Sequence, residues 1–123
     1  VSGLMASSDV FVLASEVEAG GTVLAEAQAL GLACVATPTW AGRFMVEPET
    51  GVVLPAAAQV SDDALVSALT EALTHVTDSI RAGGCRPGTI RARARQRFGE
   101  ATFVRACREL YEQARGEITG SAR

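Results

Sequence analysis

The segment Asp9–Thr37 constrains the fold of this 123-residue chain more than any other part of the sequence. It opens with an apolar run, Asp9–Leu13, and closes with a second one, Leu32–Thr37. Apolar runs without polar alternation are typical of strands covered on both faces in a parallel sheet. Between them lie a polar loop ending in Gly21 and a helical stretch, Thr22–Leu30. This order predicts a right-handed βαβ unit with two parallel strands.

The rest of the chain predicts one more strand and three more helices. Gly51–Pro55 is a short apolar run closed by proline, which indicates a third strand. Ser61 followed by two aspartates is typical of a helix N-terminus. Further helices are predicted over residues 89–98 and after Gly99, whereas Pro38–Glu49 is expected to be an irregular loop. The fold class is therefore α/β, a partial Rossmann-like domain with about three parallel strands and flanking helices.

The whole chain, residues 1–123, is expected to form a single unit. Its α/β part covers about residues 1–77, its C-terminal helices about 78–115, and a frayed tail 116–123. Three strands are few for a doubly wound sheet, so we expect the chain to be the second half of a larger domain.

Composition excludes several classes of protein. With 48% hydrophobic and 20% charged residues the chain is globular, and no apolar run approaches the ~18 residues of a membrane span. Three cysteines without a C-x-x-C pair predict neither a disulfide framework nor a zinc site. With no secretion signal, they favour a reducing, cytoplasmic location. His75, the only histidine, is expected at the end of a helix rather than in a catalytic triad.

Charge is distributed unevenly along the chain. Residues 1–80 hold ten acids and one base, whereas residues 81–123 hold four acids and ten arginines. Arginines can bind nucleic acid or lipid phosphates. No aromatic residue is interleaved in the arginine-rich run for base stacking, so pairing with nearby acids is the favoured interpretation. We expect no nucleic-acid partner and no membrane-spanning segment. Peripheral contact with a membrane surface is compatible with these features.

The loop before the first predicted long helix carries the candidate site. Backbone N–H groups of Gly20, Gly21 and Thr22 lie at a helix N-terminus, where the helix dipole favours a phosphate. Glu18 precedes the helix and Glu26 lies on the same helical face as Thr22. Carboxylates accept hydrogen bonds from neighbouring sugar hydroxyls. A phosphate site between two such acceptors predicts a nucleotide sugar as the ligand.

The stretch Ser8–Thr37 resembles the donor-binding segment of retaining, family 4-type (group 1) glycosyltransferases of the GT-B fold. That family shows E-G-F-G before a helix reading E-A-M-A-x-G, and its Glu-x7-Glu pair falls on Glu18 and Glu26. Glu49–Pro55 is similar to the family's E-T-G-x-L-V-P, and Arg97…Tyr111 is weakly similar to its final helix.

The resemblance implies a role for each site residue. Glu18 would contact the donor sugar at the catalytic centre, and Glu26 would bind the ribose. The backbone of Gly20, Gly21, Thr22 and Val23 would hold the diphosphate. The family usually needs no metal ion and no further cofactor. Its acceptor-binding N-terminal domain and its phosphate-contacting Arg and Lys lie outside this chain, so the chain alone is expected to be inactive.

Two other functions fit the same pattern. The family's E-G-F-G becomes Glu18-Ala19-Gly20-Gly21, and its G-G-x-x-E becomes Trp40-Ala41-Gly42-Arg43-Phe44. These departures motivate a non-catalytic, degenerate GT-B-like binding domain as one alternative. A nucleotide-sugar epimerase of the GT-B fold is the other.

Overall fold

The computed structural model describes residues 2–120, in which a three-stranded sheet packs between helices. The strands are β1 (Val10–Leu13), β2 (Ala33–Ala36) and β3 (Gly51–Val53). The α-helices are α1 (Ser2–Ala6), α2 (Thr22–Leu30), α3 (Trp40–Met45), α4 (Asp62–Arg81), α5 (Pro87–Phe98) and α6 (Glu100–Gly120). A short 3₁₀ helix, Ala56–Gln59, follows β3. The predicted α/β class is confirmed.

The sheet has the order β1-β2-β3, and both strand pairs are parallel. Val10 lies opposite Ala33 and Leu13 opposite Ala36, so β1 and β2 run in register along their whole length. Helix α2 connects them, and Gly31 ends it in a left-handed conformation at φ 90°. The predicted βαβ unit is present, and the carboxyl ends of β1 and β2 meet at one edge of the sheet.

The core lies on both faces of β2, whose four residues are all buried. Side chains alternate between the faces of a strand. Cys34 and Ala36 pack into a cluster with Leu24 of α2, whereas Ala33 and Val35 pack into another with Val76 of α4. Helices on both faces therefore make β2 the centre of three layers.

Helix α4 is longer than its sequence pattern suggested. Ser61 caps it as predicted, since its Oγ accepts a hydrogen bond from the N–H of Ala64 at 3.2 Å. The prediction that His75 ends the helix is wrong, because α4 continues to Arg81. Buried Val76 and partly buried Ile80 extend the apolar stripe by more than a turn and keep the helix against the sheet.

The prediction of an irregular loop over Pro38–Glu49 is also wrong, because this segment contains α3. Thr39 starts the helix: its Oγ1 accepts a hydrogen bond from the N–H of Gly42 at 3.1 Å. Buried Gln28 of α2 donates from Nε2 to the carbonyl of Met45 at 3.0 Å and ties down the other end. A six-residue helix has too few positions to show a hydrophobic period in sequence.

Helix α5 begins at Pro87, two residues before the predicted start, with proline in the first turn as is usual. Its arginines pair with acids that precede β3. Arg97 lies 3.2 Å from Glu47, and Arg93 lies 3.9 Å from Glu47 and 3.8 Å from Glu49. Two arginines of the arginine-rich segment, Arg93 and Arg97, therefore form ion pairs within the fold.

Helix α6 packs on α5 and continues to Gly120. The apolar residues predicted on one of its faces are exposed, among them Phe103, Leu110 and Tyr111. Of the predicted frayed tail, residues 121–123 lie outside the described residues. Within the described part of the chain, no helix combines the length and apolarity that crossing a bilayer requires.

Two of the three cysteines, Cys34 and Cys107, provide a test of this fold. Cys34 on β2 is buried, and burial raises the pKa of its thiol to about 12; Cys107 on α6 is exposed. We expect a thiol reagent at pH 8 to modify Cys107 rapidly and Cys34 only after denaturation, because the thiolate is the reactive form. Mass spectrometry of timed samples measures this, and C107S should lack the fast phase. Equal rates for both thiols in the native protein would refute the packing of β2.

Candidate functional site

The loop between β1 and α2 lies at the carboxyl edge of the sheet, where open α/β sheets bind ligands. Its principal feature is a carboxylate held by backbone N–H groups. Oε1 of Glu18 accepts hydrogen bonds from the N–H of Gly21 at 3.0 Å and of Gly20 at 3.2 Å. These two bonds, that of Gly21 first, lower the pKa of Glu18 below its usual range. The start of α2 therefore binds an oxyanion, which in this structure is the chain's own carboxylate.

Gly21 has a packing role in addition to its N–H. Its φ of 59° is left-handed, and it is buried. A Cβ here would lie 2.7 Å from Cβ of Ala41 and 2.8 Å from Sδ of Met45. Gly21 therefore has no room for a side chain, because α3 fills that space. Gly20 differs, since no atom lies within 4 Å of the position that a Cβ would take there.

Two more N–H groups at the start of α2 remain available. Leu24 donates to the carbonyl of Gly21 at 2.8 Å, but among the described residues no acceptor meets the N–H of Thr22 or Val23. Thr22 is exposed and Val23 is half-buried. The positive end of the α2 dipole coincides with these donors, so the position favours negative charge.

Glu26 is exposed one turn further along α2. It opens on a cleft of about 410 Å³ between α2 and α5, which Arg91, Arg95 and Phe98 also line. A neighbouring cleft of similar volume contains Thr22 and shares Phe98. The structure thus brings Glu18 into contact with the glycine N–H groups and places Glu26 beside arginines. The sequence contained a signal for these arginines, since they are four positions apart on one helical face.

A pair of aromatic residues beside the loop was not recognised from the sequence as a unit. Trp40 and Phe44 of α3 stack, with ring centroids 5.0 Å apart and planes at 9°. The Arg97 guanidinium lies 5.6 Å from the Phe44 centroid and 4.9 Å from that of Phe98. The i, i+4 spacing of the pair was visible, but only a helix turns that spacing into contact.

Another cleft at the same edge opens on the α4 side of the sheet. Its volume is about 480 Å³, and its lining includes Ser15, Thr37 and Ser61 together with the carboxylates of Glu16 and Asp62. On the other side of this edge, at the N-terminus of α2, backbone N–H groups already hold a carboxylate oxygen. Among the described residues no group of His, Cys, Asp and Glu side chains is arranged to hold a metal ion.

Comparison with known proteins gave one family match. A family model described as "Glycosyl transferases group 1" matches residues 1–75, which include the whole loop, Glu26, α3 and all three strands. The curated protein sequences contain no match to this chain.

Replacing each glycine of the loop separately tests the geometry. Gly21→Ala should lower the free energy of unfolding by about 2–4 kcal/mol, because it adds a left-handed non-glycine residue and overpacks α3. Gly20→Ala, the matched control, should change it by less than about 0.5 kcal/mol. Urea unfolding followed by circular dichroism measures both. Equal effects would contradict the close approach of α3 to Gly21.

The carboxylate of Glu18 gives a pH-dependent signature. Because its folded-state pKa is lowered, its bonds contribute stability above the unfolded-state pKa of about 4.3 and lose it as the pH falls through the folded value. We expect the Glu18 side chain to titrate below the usual range of a glutamate in a carbon-detected NMR experiment. Glu18→Gln should remove this component from the pH dependence of stability. A Glu18 pKa in the ordinary range would show that the two N–H groups do not hold the carboxylate in solution.

Proposed function

Because the chain belongs to the group 1 glycosyl transferases, we propose that it carries the donor site of a retaining enzyme that transfers a sugar from a nucleotide diphosphate sugar. One observation carries this proposal: the Glu18 carboxylate accepts hydrogen bonds from the N–H groups of Gly20 and Gly21. Backbone groups that hold one oxyanion are suited to hold another. The diphosphate of the donor is the oxyanion that this family requires.

The N-terminus of α2 would stabilise the leaving group. The N–H groups of Gly20 and Gly21 meet at one atom, Oε1 of Glu18, and those of Thr22 and Val23 lie next to them at the positive end of the α2 dipole. When the bond between sugar and diphosphate breaks, negative charge grows on the phosphate oxygens. Preorganised donors at that position stabilise the transition state more than the ground state. Helix α3 packs directly against Gly21 and supports the start of α2 at this position.

Glu18 would change partners when the donor binds. A diphosphate on the glycine N–H groups displaces the carboxylate, because two anions do not share one set of donors. The freed carboxylate is an acceptor with two oxygens and lies in the loop beside the phosphates. Sugar hydroxyls attached to the diphosphate are then its nearest donors. In this way Glu18 would serve as the catalytic-site contact to the sugar.

Glu26 would bind the ribose. Its carboxylate is exposed, lies one turn from the phosphate position and can accept from two neighbouring hydroxyls. Arg91 and Arg95 line the same cleft and reduce the electrostatic cost of a carboxylate near a diphosphate. The acceptor and its binding domain would come from outside this chain. Free cysteines and a nucleotide-sugar donor favour a cytoplasmic location.

Glu26→Ala tests this assignment. Removing a charged acceptor should weaken binding of the nucleotide sugar by about 1.5–3 kcal/mol, or roughly 10- to 150-fold. Isothermal titration calorimetry with a panel of uridine, guanosine and adenosine diphosphate sugars measures it. Glu112→Ala on α6 is the matched control and should leave the affinity unchanged.

Two outcomes would overturn the proposal. No binding of any donor at millimolar concentration would favour the degenerate binding domain instead. Unchanged affinity in the Glu26→Ala variant would remove the ribose contact. Product analysis with a donor labelled in its sugar, in a protein that also contains an acceptor-binding domain, separates transfer from epimerisation.

A further inference from the structure

We propose that the cleft on the α4 side of the sheet edge, called here the α4-side cleft, binds a neutral carbohydrate, the sugar of the acceptor. This inference rests on the proposed function, because a bound sugar is an acceptor only when a donor lies beside it. The cleft has a volume of about 480 Å³. Sites for small molecules have volumes of roughly 300–1,000 Å³. The α4-side cleft is therefore large enough for a ligand.

Residues that follow each of the three strands line this cleft. Residues 14–16 follow β1, Thr37 directly follows β2, and residues 58–60 come after β3. The start of α4 completes the lining with Ser61 and Asp62. Open α/β sheets bind ligands beyond the carboxyl ends of their strands, because the connections converge there. The α4-side cleft is therefore formed by the topology of the sheet and not by a chance gap between surface side chains.

Two hydrogen bonds hold the walls of the cleft in position. Thr37 is only 3% exposed, and its Oγ1 donates to the carbonyl of Ser15 at 2.5 Å, which ties the loop after β1 to β2. Nε2 of Gln59 donates to the carbonyl of Glu16 at 3.5 Å and ties the same loop to the 3₁₀ helix. The walls are thus connected before a ligand enters. A preformed cleft loses little conformational entropy on binding.

The cleft offers a ligand both hydrogen-bond acceptors and donors. Glu16 and Asp62 bring carboxylates, which accept charge-assisted hydrogen bonds from hydroxyl groups. Oγ of Ser61 accepts from the N–H of Ala64, so its own O–H is free to donate. The hydroxyl of Ser15 lines the same cleft. A sugar hydroxyl donates one hydrogen bond and accepts others, so this mixture suits a polyhydroxylated ligand better than a cation, which uses acceptors alone.

The remaining lining favours a neutral ligand over an anion. None of the described residues that line the cleft is basic. Asp62 and Asp63 already place two carboxylates at the positive end of the α4 dipole. Ala58, Val60 and Leu65 add apolar contacts, which suit the C–H groups on the face of a sugar ring. The chemistry of the cleft therefore matches an uncharged sugar.

The position of the cleft assigns this sugar to the acceptor. Glu16 lies two residues before Glu18, the proposed contact to the donor's sugar, in the same loop. The described lining includes neither Glu18 nor the two glycines whose N–H groups hold its carboxylate. A sugar in the cleft would thus lie next to the donor without occupying the donor's position, as transfer between two bound molecules requires. The rest of the acceptor would bind to the domain outside this chain.

NMR spectroscopy of the isotope-labelled 123-residue chain tests the cleft directly. The probes are the neutral methyl glycosides of glucose, galactose, mannose and N-acetylglucosamine, each added with and without uridine, guanosine and adenosine diphosphate sugars. We expect a glycoside to shift the backbone resonances of Ser15, Thr37 and Ser61, and to do so equally when a nucleotide sugar is bound. Asp62→Asn should weaken this binding roughly 10-fold, because it replaces a charged acceptor. Asp63→Asn is the matched control: it removes the same charge from the same helical turn but outside the cleft, and should leave the affinity unchanged.

The outcomes distinguish this inference from the proposed function. If nucleotide sugars bind but no glycoside shifts the cleft resonances, the acceptor site is wrong and the donor site stands. If a nucleotide sugar displaces the glycoside, the cleft holds the donor's own sugar and the acceptor assignment is wrong. If glycosides bind but no nucleotide sugar does, the donor site fails and the acceptor assignment fails with it.

Two controls address the chemistry of the ligand and the fold of the variant. Tighter binding of protonated glucosamine than of N-acetylglucosamine would make the cleft a cation site and overturn the assignment of a neutral sugar. Circular dichroism of Asp62→Asn excludes loss of fold as the cause of lost affinity. Equal affinities of the Asp62→Asn and Asp63→Asn variants would show that the sugar does not bind in this cleft.

Discussion

Strand β2 is the constraint on which the rest of the structure depends, because it is buried on both faces. A strand in that position needs hydrogen-bonded neighbours at both edges and an apolar layer above and below. Parallel strands β1 and β3 are the hydrogen-bonded neighbours, and α2 and α4 form the apolar layers on the two faces. The carboxyl ends of the three strands therefore lie at the same edge of the sheet. The loops that leave them are brought together although they are distant in sequence.

The close contact between Gly21 and α3 fixes the relative positions of the residues of the candidate site. Without a side chain at Gly21, α3 approaches the start of α2 closely enough for Ala41 and Met45 to occupy the space. Gln28 and Arg97 then hold the carbonyl of Met45, so the far end of α3 is fixed to α2 and α5. These contacts hold the N–H groups of the loop, the aromatic pair on α3 and Arg97 in fixed positions relative to one another. Rigidity of this kind is what preorganised binding requires.

Electrostatics explain why the loop is stable without a ligand. A helix N-terminus presents unpaired N–H groups and positive potential, which is unfavourable unless water or an acceptor meets them. The Glu18 carboxylate meets the N–H groups of Gly20 and Gly21 and is stabilised in return. These bonds hold the loop in its observed geometry. In the proposed donor site, binding of a diphosphate would exchange one anion for another.

The sequence by itself determined the βαβ core, the family and the loop that carries Glu18. Uninterrupted apolar runs and the glycine after α2 are local signals, and the long match to the family pattern over Glu18–Thr37 is specific, whereas the spacing of Glu18 and Glu26 alone is not. It could not determine the course of Pro38–Glu49, because six helical residues show no measurable period and their stability comes from Thr39, Gln28 and Arg97.

Only the tertiary structure decided what the neighbouring residues do. The sequence shows that Gly21 precedes a helix, but only the structure shows that α3 fills the space a side chain would take there. Trp40 and Phe44 are two isolated aromatics in the sequence and become one surface only when a helix places them a turn apart. The physical reason is the same in both cases. Periodicity and motif spacing describe one segment at a time, whereas close contacts depend on which distant segment the sheet brings alongside.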